Sequence, residues 1–294
     1  MSELVHRPLP RLKPNPIPAI HPVPEYLAEG ALKARYEATK LGLDVPWMGV
    51  VAMAFAHFAD FYDCLWRALE PVVGAEAFAA ACLELRRTAE QEASQFSPPD
   101  VIDRLQQMGY AEAEIDSIRQ CNETFSAGNM PYVLMASLAR LLLEGQDWSG
   151  GGATLSQSVP KQHPPRPELM EFHHADPTVQ ELYTDIKAVL GLPFVNTDYR
   201  AFSRWPSYFT LAWQDFRSLP AQSDYEAAVA RVHDRAVELA RGLPNPTGLD
   251  SQTLRAAAAR GDGGGDAVLN VVRLFQWLLP GLAFNVAYFR AQLR

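Results

Sequence analysis

Cysteine is scarce in this chain of 294 residues: Cys64, Cys82 and Cys121 are widely spaced and form no CxxC. That excludes a disulfide framework, a thiolate zinc site and a CxxC redox pair. Each cysteine sits in an apolar helical context and reads as a small reduced hydrophobe. Positive charge is short as well. The net charge of −8 supplies no basic stripe for nucleic acid or an anionic membrane surface, so neither is an expected partner. The N-terminal MSELVHRPLPRLK has no apolar core, so no signal peptide and a cytoplasmic location are expected. Residues 268–289 form the one run that raises a membrane question, but they carry Arg273, Gln276, Pro280 and Asn285 and read as a buried helix. No alternating β-branched run and no GxSxG occur. The glycine clusters at 150–152 and 261–265 follow helices and not strands, so they do not read as phosphate loops.

What is present is helix. Apolar residues make up 48% of the chain and charged residues 20%, as in packed soluble proteins. Three- and four-residue apolar spacing predicts helices over 26–41, 47–73, 75–95, 99–108, 112–125 and 131–143, resuming at 179. Ser97 reads as an N-cap for the helix after Pro98-Pro99. The prolines between Pro8 and Pro24 favour an extended arm. Gly150 to Gly152 and the prolines from Pro160 to Pro177 mark a long connector. The expected organisation is an N-terminal arm (1–24), a first helical repeat (25–144), a connector (145–177) and a second repeat (178–294).

The repeat rests on a shift of 147 (183 − 36), which needs no gap. It superposes Tyr36 on Tyr183, Lys40 on Lys187, Pro46 on Pro193, Trp47 on Phe194, Phe55 on Phe202, Phe61 on Tyr208 and Trp66 on Trp213. A duplication this long implies two helical units about a pseudo-two-fold axis, not a solenoid. Core residues should have similar mates 147 positions away, whereas residues recruited for chemistry should break the symmetry. Asn196, Thr197 and Asp198 have the mates Gly49, Val50 and Val51, and Asn129 has Gln276. The first three also fit a helix N-terminus with Asp198 in its first turn. Gly128-Asn129 also fits a loop or helix start before Pro131. His173-His174 are adjacent, and Glu171-x-x-His174 is a single ExxH where a di-iron bundle needs a pair, so neither a metal nor any other cofactor is expected. His57 and His163 have no nucleophile at motif spacing.

The segments VPW (45–47), AGNMPY (127–132), VPKQHP (159–164), NTDYRAFSRWP (196–206) and ELARGLP (238–244) resemble, in order, the group I 2-haloacid dehalogenases. The resemblance covers about residues 30 to 290 and departs from the better-known members at Met130-Pro131. It implies an all-α pseudo-dimer of two repeats with the active site between them. It also implies hydrolysis of short 2-haloalkanoic acids to 2-hydroxy acids with inversion at C2. By the resemblance Asp198 is the catalytic aspartate and Asn129 helps to position water. Trp47, Val50, Asn196, Thr197, Phe275, Leu279 and Leu282 line the substrate pocket, with a backbone amide beside Thr197 meeting the carboxylate. Asn196 stands where D-selective members carry a larger polar residue, which implies D-selectivity. The unlike mates of Asp198 and Asn129 imply one competent site per chain. The partner would be a small-molecule 2-haloacid, and a homodimer is compatible with this reading. Two alternatives stay open: an ester route with Asp198 as nucleophile, and a non-catalytic ligand-binding member of the same fold.

Overall fold

Proline and short polar side chains mark several helix starts. Asp176 accepts from the amide of Val179 (3.0 Å) with Pro177 next in the chain, and Asp250 accepts from Thr253 (2.7 Å), both N-caps of the expected kind. The computed structural model describes residues 9–151, 166–261 and 263–294, and the elements in them are all helical. In the first part run α1 (Gly30–Leu43), α2 (Val50–Ala56), α3 (Ala59–Val73), α4 (Glu76–Ser94), α5 (Ile102–Gln107) and α6 (Glu112–Leu143). In the second run α7 (Pro177–Leu190), α8 (Thr197–Phe202), α9 (Pro206–Phe216), α10 (Ser223–Gly242), α11 (Ser251–Ala258) and α12 (Gly264–Ala291).

The starts of α7, α8, α9 and α10 each fall 147 residues after those of α1, α2, α3 and α4 (177 − 30, 197 − 50, 206 − 59, 223 − 76). Both α1 and α7 end in a left-handed residue, Asp44 and Gly191. Tyr36 donates to the carbonyl of Val23 (3.0 Å) and Tyr183 to that of Met170 (2.8 Å), again 147 apart at both ends of the bond. Further along the register changes. The start of α11 lies 149 after that of α5, and the prolines inside α6 and α12, Pro131 and Pro280, are likewise 149 apart. This shift pairs Asn129 with Leu278, not with Gln276. Gln276 instead accepts from Arg140, away from the Asp198 cavity.

Two long helices, α6 and α12, pack on each other at the centre, with α4 and α10 laid across both. The apolar run at 268–289 is the heart of α12, buried among protein side chains. The sequence splits α6 at Asn129, but the helix is continuous from Glu112 to Leu143. Pro131 removes one hydrogen bond, to the carbonyl of Ala127. Ala127 is exposed, so water can satisfy that carbonyl, while burial of both flanks holds the helix together. The helix expected over 47–73 is broken instead at His57-Phe58, leaving Trp47 in the turn before α2. Ser97 adopts φ 48° and caps nothing. Asp100 accepts from the amide of Ile102 (2.7 Å) at the start of α5.

The proline arm is anchored on both halves of the chain, on α6, α10 and α12. Leu9 packs with Leu141 and Val237, the carbonyl of Pro10 accepts from Arg140 (2.9 Å), and Arg11 donates to the carbonyl of Trp277 (2.9 Å). VPKQHP, His163 and the middle of the connector (152–165) lie outside the described residues. At the connector's first end Trp148 donates to the carbonyl of Leu243 (2.6 Å), in the ELARGLP segment.

Candidate active site

Among the described residues Asp198 is the one buried carboxylate. Asp198 lies in the first turn of α8 and is 2% exposed, so its charged form has lost nearly all hydration. Burial pushes its pKa up to about 7, against the smaller lowering effects of the Asn129 hydrogen bond, its own backbone amide and the nearby charge of Arg200. Asn129, buried on α6, donates from Nδ2 to Oδ1 of Asp198 at 2.6 Å. The two residues are 69 positions apart, so this contact exists only because α8 packs on α6.

Around the pair is a cavity of about 350 Å³, counted to its mouth. Every residue that the sequence nominates lines it: Asp198, Asn129, Trp47, Val50, Asn196, Thr197, Phe275, Leu279 and Leu282. Among the described residues Asp198 supplies the only charged side chain in that wall. The helix-terminus reading of Asn196 is right in position, because Asn196 precedes α8. Its side chain makes no capping bond, however, and its buried Oδ1 has no partner.

One expectation needs correction. A pseudo-two-fold axis was expected to generate a second, incompetent site at Val51. Val51 in fact lines the same cavity as Asp198, and so do Gly49 with Asn196, Val50 with Thr197, and Trp47 with Phe194. Each of these pairs is 147 residues apart. The first turns of α2 and α8 face each other across one space, so the asymmetry lies between its two walls.

Sequence reasoning missed Tyr132, Gly49 and Arg200. The Tyr132 hydroxyl donates to the carbonyl of Trp47 and accepts from the amide of Gly49, both at 2.8 Å, which fixes the turn leading into α2. A Cβ on Gly49 would come within 2.8 Å of the Tyr132 ring. The signal was available, since Tyr132 closes the AGNMPY segment in which only Asn129 was assigned a role. Arg200, two residues after Asp198, pairs with Glu171 (2.6 Å) and ties the end of the connector onto α8. Glu171 is thus committed to an ion pair. Among the described residues no three His, Cys, Asp or Glu side chains gather as a metal site.

Gly128 explains how Trp47 reaches the cavity. The indole packs against Phe125 (ring centroids 4.6 Å apart) and crosses α6 over Gly128, where an added Cβ would meet Cζ3 at 2.9 Å and Cη2 more closely still. Gly128→Ala should therefore lower stability by about 1–3 kcal/mol through overpacking, although alanine is otherwise the better helix former. It should also move Trp47. A thermal unfolding curve and a KM that both match wild type would refute this.

The chain as a whole is similar to known proteins. The chain is 43% identical over 256 residues to an (R)-2-haloacid dehalogenase of Rhizobium sp. (strain NHG3), covering 86% of this chain and 99% of that protein. It is 34% identical to an (R)-2-haloacid dehalogenase of Pseudomonas putida, covering 98% of this chain and 97% of that one. A solved D-2-haloacid dehalogenase in complex with L-LA superposes with a TM-score of 0.88 at 32% identity, covering 97% of this chain and all of that one. No protein-family model matches the chain.

Proposed function

The chain belongs to the 2-haloacid dehalogenases, hydrolases acting on carbon–halogen bonds, and from that premise we propose that it hydrolyses short D-2-haloalkanoic acids to the L-2-hydroxy acids by direct attack of water. The observation that carries this reading is the buried Asn129–Asp198 pair, in which burial pushes the carboxylate pKa up to about 7 in a cavity with no other charged side chain among the described residues. A general base works best with a pKa close to the working pH. Asn129 gives one N–H to Asp198 and keeps its carbonyl oxygen as an acceptor. A water that donates one proton to that oxygen and the other to Asp198 presents its lone pair to C2. Asp198 takes the proton as the C–O bond forms and the carbon–halogen bond breaks on the opposite face. That line of attack inverts C2.

The walls suit such a substrate. Trp47, Phe194 and Phe275 offer apolar surface to the halogen and alkyl group, and the small volume favours short acids. Amides in the first turns of α2 and α8 have no intrahelical carbonyl to bond and lie beside Val50 and Thr197, where a carboxylate can reach them. The carboxylate's charge would raise the basicity of Asp198 further. Asn196 in the same wall, and the (R) specificity in the names of the two relatives, support a preference for the D enantiomer.

The coincident starts of α1 to α4 and α7 to α10, with the matched bonds of Tyr36 and Tyr183, support two copies of one helical unit that share this cavity. On this reading neither copy works alone, because Asn129 and Asp198 come from different ones.

Halide release from enantiomerically pure 2-chloropropionates tests the proposal. The D form should turn over at least about 100-fold faster than the L form and yield L-lactate. Equal rates would sink the selectivity, D-lactate from the D substrate would sink inversion, and no halide from either would sink the reaction.

A further inference from the structure

Beside the Asp198 cavity lies a second one of about 500 Å³, counted to its mouth, with Arg11, Tyr199, Tyr225, Glu226, Trp277 and Asn285 in its wall. Asn196, Leu278 and Leu282 line both cavities and form the partition between them. Among the described residues the first cavity is lined by a carboxylate and no cation, in a chain of net charge −8. A reaction that leaves an anion there needs a favourable place for that anion nearby.

The second cavity provides one. The Arg11 side chain is 6% exposed, held by its Nε bond to the carbonyl of Trp277 (2.9 Å), by Nη1 on Glu226, and by the Trp277 ring 5.6 Å from its guanidinium carbon. Nη2 makes no hydrogen bond among the described residues and lies over Gly281. A Cβ there would stand 3.3 Å from Nη2 and 3.7 Å from the Tyr225 hydroxyl, so glycine keeps that space open. Tyr225 donates to Asn285 Oδ1 (3.0 Å), and Asn285 Nδ2 donates to the Tyr199 hydroxyl (2.9 Å). The direction of this relay leaves the Tyr199 O–H, 1% exposed as a residue, as a donor with no acceptor among the described residues. Glu226 opposes an anion here, but its side chain is 59% exposed, so water screens it far more than it screens Arg11.

We propose that this second cavity binds a small monoanion, the halide departing from the Asp198 cavity, on Arg11 Nη2 and the Tyr199 hydroxyl. The identity of the anion rests on the dehalogenase reading; the existence of the site does not. Crystals of the wild-type protein soaked in sodium bromide should show anomalous density in contact with Arg11 Nη2. In turnover assays Arg11→Met should weaken inhibition by added bromide roughly tenfold, as expected for loss of a charge-assisted bond. Gly281→Ala fills the same space and leaves the Arg11 charge in place, so it gives the same answer if Arg11→Met fails to fold.

Absence of bromide from the cavity, or an inhibition constant unchanged in both variants, would overturn the proposal. Lactate in place of bromide, in crystals soaked with each separately, would overturn its assignment to halide. Bromide bound at Arg11 in a chain that releases no halide from any haloacid would sink the dehalogenase reading and leave the anion site standing.

Discussion

Asp198→Asn is expected to abolish halide release, with kcat falling by about 10³-fold or more, because the amide cannot take a proton from water. The fold survives. The substituted side chain keeps an oxygen for the Asn129 Nδ2 that now bonds Asp198 Oδ1 at 2.6 Å, and the variant no longer buries a charge. The stability effect has a defined sign. The folded-state pKa is raised from the usual 3.8 to about 7, so the folded protein binds this proton more tightly than the unfolded chain does. The resulting stabilisation is fully present below about pH 3.8 and is lost as pH rises through about 7.

Wild type and Asp198→Asn should therefore unfold at similar temperatures near pH 4. Above pH 7 the variant should be the more stable, by at most about 4 kcal/mol, taking about 1.4 kcal/mol per pH unit of displacement. In wild type, kcat/KM should fall tenfold per pH unit below about 7 and level off above it. Retained turnover in the variant would refute the assignment of Asp198. So would a wild-type limb near 4.

Asn129→Ala is expected to cost about 100-fold in kcat and to move the acid limb of kcat/KM upward. The rate falls because the water loses one of its two acceptors. The limb moves because the Asn129 hydrogen bond is the largest of the effects holding the Asp198 pKa down against burial. With that bond gone, desolvation acts with less opposition and the carboxylate is harder to ionise. The pH profile separates this role from a packing role. Asn129 is 4% exposed in the middle of α6, so truncation leaves a hole and lowers stability in either case. A slower enzyme with an unmoved limb would mean that Asn129 acts only through packing. Asn129→Asp is a further comparison: a second carboxylate at 2.6 Å would push one of the two pKa values up sharply.

Much of this architecture was written in local pattern. Apolar spacing and the lack of alternating β-branched residues gave an all-helical chain, since a helix buries its stripe by period alone. The 147-residue shift appeared because proline, tryptophan and tyrosine keep their places in both halves, and the helix starts follow it through α4 and α10. Asp198 and Asn196 stood out as polar residues opposite Val51 and Gly49. Asn129 stood out for a wrong reason, since its counterpart by the proline register is Leu278 and not Gln276.

What the sequence by itself determined, then, is the helical class and the register of the first four helices in each half. Tertiary structure alone decided that α6 runs through Pro131, that Asn129 meets Asp198, and that the first turns of α2 and α8 close on one cavity. It also decided that burial pushes the Asp198 carboxylate pKa up to about 7. Helix period depends on neighbours three and four residues away. Continuity past a proline, a bond across 69 residues and the desolvation of a charge depend on atoms that only folding assembles.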